Sequence, residues 1–241
     1  MATINCDMGE SFGLYRMGDD AGLMPLVSVA NVACGFHASD FSHMRATVRL
    51  AKAHGVKVGA HPSLPDLQGF GRREMKMGRE ELADCLIYQI GALVGFLRAE
   101  GMAMSHIKPH GALYGMAARD PAVAHAVADA ADVFGVPIMG LAGTQHETVW
   151  TERGHGFLAE FFADLDYSDD GRLIITREHE AMDPAKCAEA ARRAVVEGRL
   201  VTVGGRELPV RAETVCVHSD TPNAVAIAAA VRAALAPHLD A

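Results

Sequence analysis

The sequence predicts an α/β fold of parallel strands joined by crossover helices, closed into a barrel or laid out as an open sheet. Three observations predict it. Seven short β-type runs alternate with longer helical patterns along the chain. Several of the helical patterns carry a capping residue before them or a glycine after them. No Pro/Ser-rich linker, composition shift, tandem repeat or low-complexity tract divides the 241 residues, so residues 1–241 read as one domain.

The strand-like runs are ATINC (2–6), LVSVANVAC (26–34), VKVGA (56–60), HIK (106–108), VPIMG (136–140), FLAEFFA (157–163) and TVCVH (214–218). Between them, FSHMRATVRLAKAHG has apolar residues at Met44, Val48 and Ala51 and ends on Gly55, a helix C′ position. REELADCLIYQIGALVGFLRAEG runs to Gly101. Three further helices are predicted to open on a cap followed by proline at the first helical position: Asp120-Pro121, Asp183-Pro184 and Thr221-Pro222. Within the least regular stretch, 164–180, Asp169-Asp170-Gly171 reads as a hairpin turn. Tyr88 in CLIYQIGAL reads as core, and Gln89 beside it needs a partner if buried. The methionines read as core filler.

Half the residues are hydrophobic, enough for one sizeable core, and 22% are charged, which excludes the disordered class. The net charge of −8 and the lack of a Lys/Arg cluster argue against nucleic acid and anionic membranes as partners. The N-terminus MATINCDMGE shows no signal peptide, and no apolar run is expected to span a membrane. Five cysteines with no CxxC pair imply free thiols and a cytoplasmic protein.

The residues after each strand carry the chemistry. The runs lead into Asn5-Cys6-Asp7-Met8-Gly9-Glu10, into Asn31 and Cys34-Gly35-Phe36-His37, into His61-Pro62, into Lys108-Pro109-His110-Gly111, into Glu160 and Asp164, and into His218-Ser219-Asp220. In a parallel barrel or open sheet all these ends lie on one face, where such folds place their sites. Four of the 12 histidines, His37, His61, His110 and His218, fall at strand ends. His54, His125 and His179 read as ordinary surface or helix-end residues. Carboxylates beside imidazoles can perform acid–base work or bind a divalent metal, and lysine or arginine can stabilise an oxyanion or a phosphoryl group. No diagnostic metal spacing occurs: HExxH is absent, and His37 and Asp40 in GFHASD are only weakly suggestive. The long loop GAHPSLPDLQGFGRRE (59–74) offers Gly69 and Gly71 as backbone donors to an anion, with Arg72 or Arg73 beside them. It matches neither a P-loop nor GxGxxG. Cys34 is either a loop nucleophile or a small buried thiol.

The stretches INCDMGESFG, SVANVACGFHASD, GAHPSLPDLQGFGRRE, YQIGAL, KPHGALY and VCVHSDTPNA together resemble the LamB/YcsF family, from residue 4 to residue 224. The resemblance implies a modified barrel of about seven parallel strands, similar to the glycoside hydrolase/deacetylase barrels. It implies ATP-dependent opening of 5-oxoproline to L-glutamate, ATP being a co-substrate, by an A subunit that works with partner subunits B and C. A homo-oligomer is compatible with it. The family's polar positions map onto Asn5, Asp7, Glu10, Asn31, His37, His61, Arg72, Lys108, His110 and Asp220. On this reading Lys108 with Arg72 stabilises phosphoryl or oxyanion charge, His110 or His61 is the general base, and Asp7 orients water or holds a cation. The remaining positions bind substrate or phosphate. Two alternatives stand beside it: a metal-dependent hydrolase of another lactam or cyclic amide with Asp7, His37 and His61 as ligands, and a non-catalytic partner-binding subunit. The chain departs from the family's pattern at Ser39, Gly115, Leu165 and Ser219, the first and last where the family carries glycine and Leu165 where it carries arginine.

Overall fold

The computed structural model describes residues 1–175 and 180–240; His179 therefore lies outside the described residues. Seven parallel strands close into a barrel in the order β1 (Thr3–Met8), β2 (Val29–Ala33), β3 (Lys57–His61), β4 (Met104–Ile107), β5 (Ile138–Gly140), β6 (Phe157–Phe162) and β9 (Thr214–His218). Two short strands, β7 (Arg199–Val201) and β8 (Glu207–Pro209), form a separate antiparallel pair that the sequence pattern does not announce.

The seven strand-like runs all become barrel strands, and the helices are α1 (Asp20–Leu23), α2 (Phe41–His54), α3 (Arg79–Ala99), α4 (Gly111–Arg119), α5 (Pro121–Phe134), α6 (Gln145–Glu152), α7 (Pro184–Arg192) and α8 (Ala224–Leu235). The Asp120 and Asp183 carboxylates cap α5 and α7 by accepting the N–H of Ala122 and Ala185, with proline at the first position. Gly55 ends α2 in the left-handed region. The predicted start at Thr221-Pro222 does not hold: α8 begins at Ala224, and the Thr221 hydroxyl points to the Asp164 carboxylate instead. Asp169-Asp170-Gly171 does make the turn, closing a bridge between Tyr167 and Leu173.

Two further expectations are overturned on α3. This helix is long and apolar enough to cross a membrane by length and composition, against the expectation that no run is. Its apolar stripe, Leu82, Leu86, Ile90, Leu93 and Leu97, is buried in the core, which accounts for the composition. Tyr88 is 71% exposed rather than core, because it sits opposite that stripe, with its ring against Phe36. Gln89 is fully buried and finds its partners in the Ser63 N–H and carbonyl.

Alternation along the strands separates two environments. Ile4, Cys6, Met8, Val32, Val58, Ile107, Phe161, Val215 and Val217 belong to the apolar core between barrel and helices. The alternate positions, Asn5, Asp7, Asn31, His61, His106, Lys108, Glu160, Thr214 and His218, are buried and polar, with the Cys216 thiol among them. They bond across the barrel between strands that are not neighbours: Lys108, the residue after β4, reaches Asp7 of β1. The barrel interior is thus a polar network rather than the usual packing of branched apolar side chains. Gly59 makes room for it, since a Cβ there would lie 2.1 Å from the His106 ring.

A candidate active site at the carboxyl ends of the barrel strands

Lys108 holds the centre. Its ammonium lies 2.9 Å from Asp7 Oδ1 and 2.8 Å from Glu160 Oε1, with Cys216 Sγ at 3.1 Å and the Phe162 ring beneath it. Burial alone would lower the pKa of Lys108, but Asp7, Cys216 and Glu160 override it and hold the pKa well above the usual value. Asp7 responds in kind: burial is outweighed by His61 and Lys108, and its carboxyl is held well below the ordinary range.

Behind Asp7 runs a chain of amides. Asn31 donates to Asp7 Oδ1 at 2.7 Å and to Asn5 Oδ1 at 2.8 Å. Both amide protons being spent there, Asn31 Oδ1 must accept from His106 Nε2, 2.7 Å away. Burial pushes the pKa of His106 down to about 3, so it is neutral. Asn5 in turn donates to Thr214.

In front of Asp7 stand the histidines. His61 Nδ1 donates to the Lys108 carbonyl (2.7 Å), and His110 Nε2 donates to the Phe70 carbonyl (2.8 Å). That leaves His61 Nε2 and His110 Nδ1 facing each other at 3.0 Å, with Asp7 Oδ2 3.2 Å from the former. Glu10 Oε1 lies 3.8 Å from His110 Nδ1 and 3.4 Å from His37 Nε2. Burial, with Asp220 and Asp7 adding to it, pushes the Glu10 carboxyl well up. His37 stacks on His110, ring centroids 3.8 Å apart. Burial and neighbouring histidines push both His37 and His110 well below the usual imidazole range.

On the far side of the mouth, His218 Nδ1 bonds Asp164 at 2.9 Å, and its Nε2 lies 3.9 Å from Asp7 Oδ2. Burial opposes its charge, but Asp164 lifts its pKa to about 9. Arg72 pairs with Asp220 at 2.7 Å and lies over the Phe70 ring.

The β3–α3 loop builds the wall above. Phe70 and Gly71 both take left-handed conformations, and their carbonyls accept from His110 Nε2 and from the Ala112 N–H. Phe70 is a strained residue placed at the site. The predicted anion cradle is not formed. The Gly69 N–H goes to the Asp66 carboxylate, the Gly71 N–H to the Asp66 carbonyl and the Arg72 N–H to the Gly69 carbonyl. Arg73 pairs with Asp66, so of the two arginines only Arg72 faces the site. Cys34 is a buried thiol whose pKa burial pushes to about 12, which removes it as a nucleophile.

All ten sequence-predicted site positions meet here: Asn5, Asp7, Glu10, Asn31, His37, His61, Arg72, Lys108, His110 and Asp220. Sequence reasoning misses His106 and Cys216, and it finds Glu160, Asp164 and His218 only as strand-end residues. The signal that would reveal them is the period-two polarity inside the strands. Among the described residues, two sets of side chains bring metal-ligating atoms within 4.8 Å of one another: Glu10, His37, His61 and His110, and Asp7, Cys216 and His218. The Lys108 ammonium already lies against Asp7 and Cys216 in the second set. The inner cavity measures about 30 Å³, room for a water or two. It shares Arg72, Tyr114, Leu173 and Ile175 as walls with a cleft of about 820 Å³. Leu165 lines the inner cavity.

A closed seven-stranded parallel barrel with a polar cluster at the carboxyl ends of its strands defines an α/β-barrel protein with its candidate site on the face where such barrels place theirs. The LamB/YcsF family model matches residues 2–239, and the chain belongs to that family. It is 48% identical over 233 residues to the A subunit of 5-oxoprolinase from Chloroflexus aggregans, covering 95% of this chain and 92% of that one. It is 46% identical over 230 residues to the lactam utilization protein lamB of Emericella nidulans, covering 94% and 90%. The crystal structure of the lactam utilization protein from Thermus thermophilus superposes with a TM-score of 0.90 at 45% identity, over 98% of this chain and 96% of that one. A putative cellobiose-phosphate cleavage protein from Enterococcus faecalis shares the fold at 12% identity, TM-score 0.56, over 97% and 93%.

Proposed function

We propose that the chain is the A subunit of an ATP-coupled 5-oxoprolinase, opening the lactam of 5-oxoproline to L-glutamate. The observation that carries this is the match, over at least nine-tenths of both lengths, to relatives bearing that subunit's name. The word subunit in those names supports an assembly, and B and C subunits complete it in this reading. The five free thiols fit a cytoplasmic setting.

A lactam is a stable amide. Transfer of the ATP γ-phosphoryl group to the lactam oxygen makes the ring carbon electrophilic. One water then adds its oxygen to that carbon, the C–N bond breaks and the nitrogen takes up a proton. A second water hydrolyses the acyl phosphate left behind. The site supports a division of labour for the water steps. Asp7, His61 and His110 form the basic side that receives water. His218, charged at neutral pH, forms the acidic side that supplies the proton to nitrogen. Lys108 is enclosed by two carboxylates, so it holds Asp7 in place rather than meeting a phosphoryl group. Arg72, on the wall shared with the larger cleft, is the cation for substrate carboxylate or phosphoryl oxygens. Metal-assisted hydrolysis is a second reading, favoured by the way His61 and His110 face each other.

The test is to co-purify the chain with its partner subunits and follow ADP and glutamate together. The two products should appear one for one with 5-oxoproline. His110→Ala should keep the complex together and slow glutamate release by about 10²–10⁴-fold. ADP without glutamate, or full turnover by the variant, overturns the proposal.

A further inference from the structure

We infer that His61, His110 and Asp7 are ligands of one divalent transition-metal ion, with Glu10 closing the set. This rests on the reading of the barrel mouth as the hydrolytic site and names what sits at its basic end.

The hydrogen-bond pattern comes first. Two backbone carbonyls take the Nδ1–H of His61 and the Nε2–H of His110. The basic nitrogens left over are turned toward each other at 3.0 Å, beside a carboxylate oxygen 3.2 Å away. Two lone pairs facing each other at this distance repel, and Asp7, whose other oxygen already meets Lys108, adds an acceptor rather than a donor beside them, so a further cation between the two nitrogens would bind all three. Backbone carbonyls that fix ring tautomers from behind are also the usual outer partners of metal-bound histidine. Asp7's second oxygen is likewise held, by Lys108 and Asn31.

Spacing and ring orientation agree. Bonds of about 2.0–2.2 Å place neighbouring ligand atoms roughly 3.0–3.5 Å apart in octahedral or tetrahedral geometry. The contacts run in sequence, 3.2 Å from Asp7 to His61, 3.0 Å from His61 to His110 and 3.8 Å from His110 to Glu10, and the ligand atoms of Glu10, His61 and His110 lie within 4.8 Å of one another. The His61 and His110 rings are perpendicular, at 86°, so their in-plane lone pairs can meet at one point. His37 cannot join them. It lies parallel to His110, 7° apart in plane and 3.8 Å between centroids, so an ion in the plane of one ring stands well outside the plane of the other. The sequence-derived ligand set of Asp7, His37 and His61 is therefore revised, with His110 in place of His37. Two imidazoles and a carboxylate suit zinc, cobalt, manganese or iron rather than calcium or magnesium, which prefer all-oxygen sites. Such an ion supplies Lewis acidity toward a carbonyl or a water.

The experiment uses the purified chain, stripped with a chelator, dialysed and titrated with Co²⁺ alone. One Co²⁺ per chain should bind, with visible d–d bands, and Zn²⁺ should displace it. His110→Ala and Asp7→Asn, the latter close to isosteric, should each weaken binding by at least about 100-fold. His37→Ala should keep one-to-one binding within about tenfold. Thermal melts establish that each variant is folded, and Asp7→Asn serves where His110→Ala is not. Absence of Co²⁺ binding by the folded chain overturns the inference and leaves a shared proton between His61 and His110. Equal loss in His37→Ala overturns the ligand assignment. The two proposals fail separately. Metal binding without glutamate formation in the assembled complex removes the substrate and keeps the centre. Full-rate glutamate formation by the metal-free complex removes the centre and keeps the substrate.

Discussion

The two sides of the barrel mouth hold their histidines in opposite states. On the β2–β4 side, His37 and His110 are buried against each other, and their basicity is suppressed. On the β6–β9 side, His218 is also buried, yet its pKa is lifted to about 9. Burial is common to both, so burial does not decide the protonation state. The nearest partner does: another imidazole and a backbone carbonyl on one side, the Asp164 carboxylate on the other. A pocket that keeps a neutral base and a charged acid a few ångströms apart at one pH suits addition of water across a C–N bond.

The largest effect should come from breaking what both sides share. Lys108→Met removes the cation lying between Asp7 and Glu160 and leaves two buried carboxylates without it. Breaking a buried pair from one side typically costs about 3–5 kcal/mol, and urea unfolding should show a loss of at least that order. Adding Asp7→Asn and Glu160→Gln to the same chain should recover most of it, because the uncompensated charge is then gone. A single variant as stable as the parent would mean that Lys108 does not balance these carboxylates.

Asp164→Asn sharpens the contrast by pushing His218 toward the behaviour of the other side. The folded-state pKa of about 9 lies above the unfolded value near 6.5. The pair therefore contributes its full stability below about pH 6.5 and loses it as pH rises through 9. Over that window the parent chain should lose about 3 kcal/mol relative to D164N. The alkaline limb of glutamate formation should also move down from near pH 9 in the variant. An unmoved limb would separate His218 from proton delivery.

How much of this is legible in sequence depends on which period carries the signal. Strand-helix alternation marks out seven strands, and strand-end clusters such as KPHG and CDMGE mark out the mouth. The barrel interior is harder to see. Asn5, Asn31 and Glu160 read only as strand-end residues, and His106 and Cys216 lie inside the strand runs themselves, where the intervening residues are apolar and the polar ones are isolated. Their meaning appears only when the barrel closes and brings β1, β4, β6 and β9 to one axis. Tyr88 fails for the converse reason: an aromatic in an apolar helix is core only if it shares the buried stripe, and it lies off it. Ser39 is one of the positions at which the sequence departs from the pattern it resembles, and the backbone there suits glycine. Its φ is +74°, a left-handed conformation that a side chain adopts at a cost of about 1 kcal/mol or more.

Ser219 is another of those positions, and it gives the smallest effect. Its hydroxyl donates to Glu10 Oε2 at 3.1 Å, tying the residue after His218 to the carboxyl on the opposite side of the mouth. Burial, Asp220 and Asp7 push the Glu10 pKa well up, and the Ser219 hydrogen bond works against that rise. Because this pKa is raised, the protonated form is the one folding favours. The stabilisation is complete below the unfolded value and is lost as pH rises through the folded one. Ser219→Gly should push Glu10 higher still, so its cost should be smaller below the parent's Glu10 titration than above it. Above that titration the lost hydrogen bond and the added chain freedom should together cost about 1–2 kcal/mol. Equal losses on both sides of it would mean that the bond does not follow the charge of Glu10. The two sides of the mouth would then be joined by packing alone.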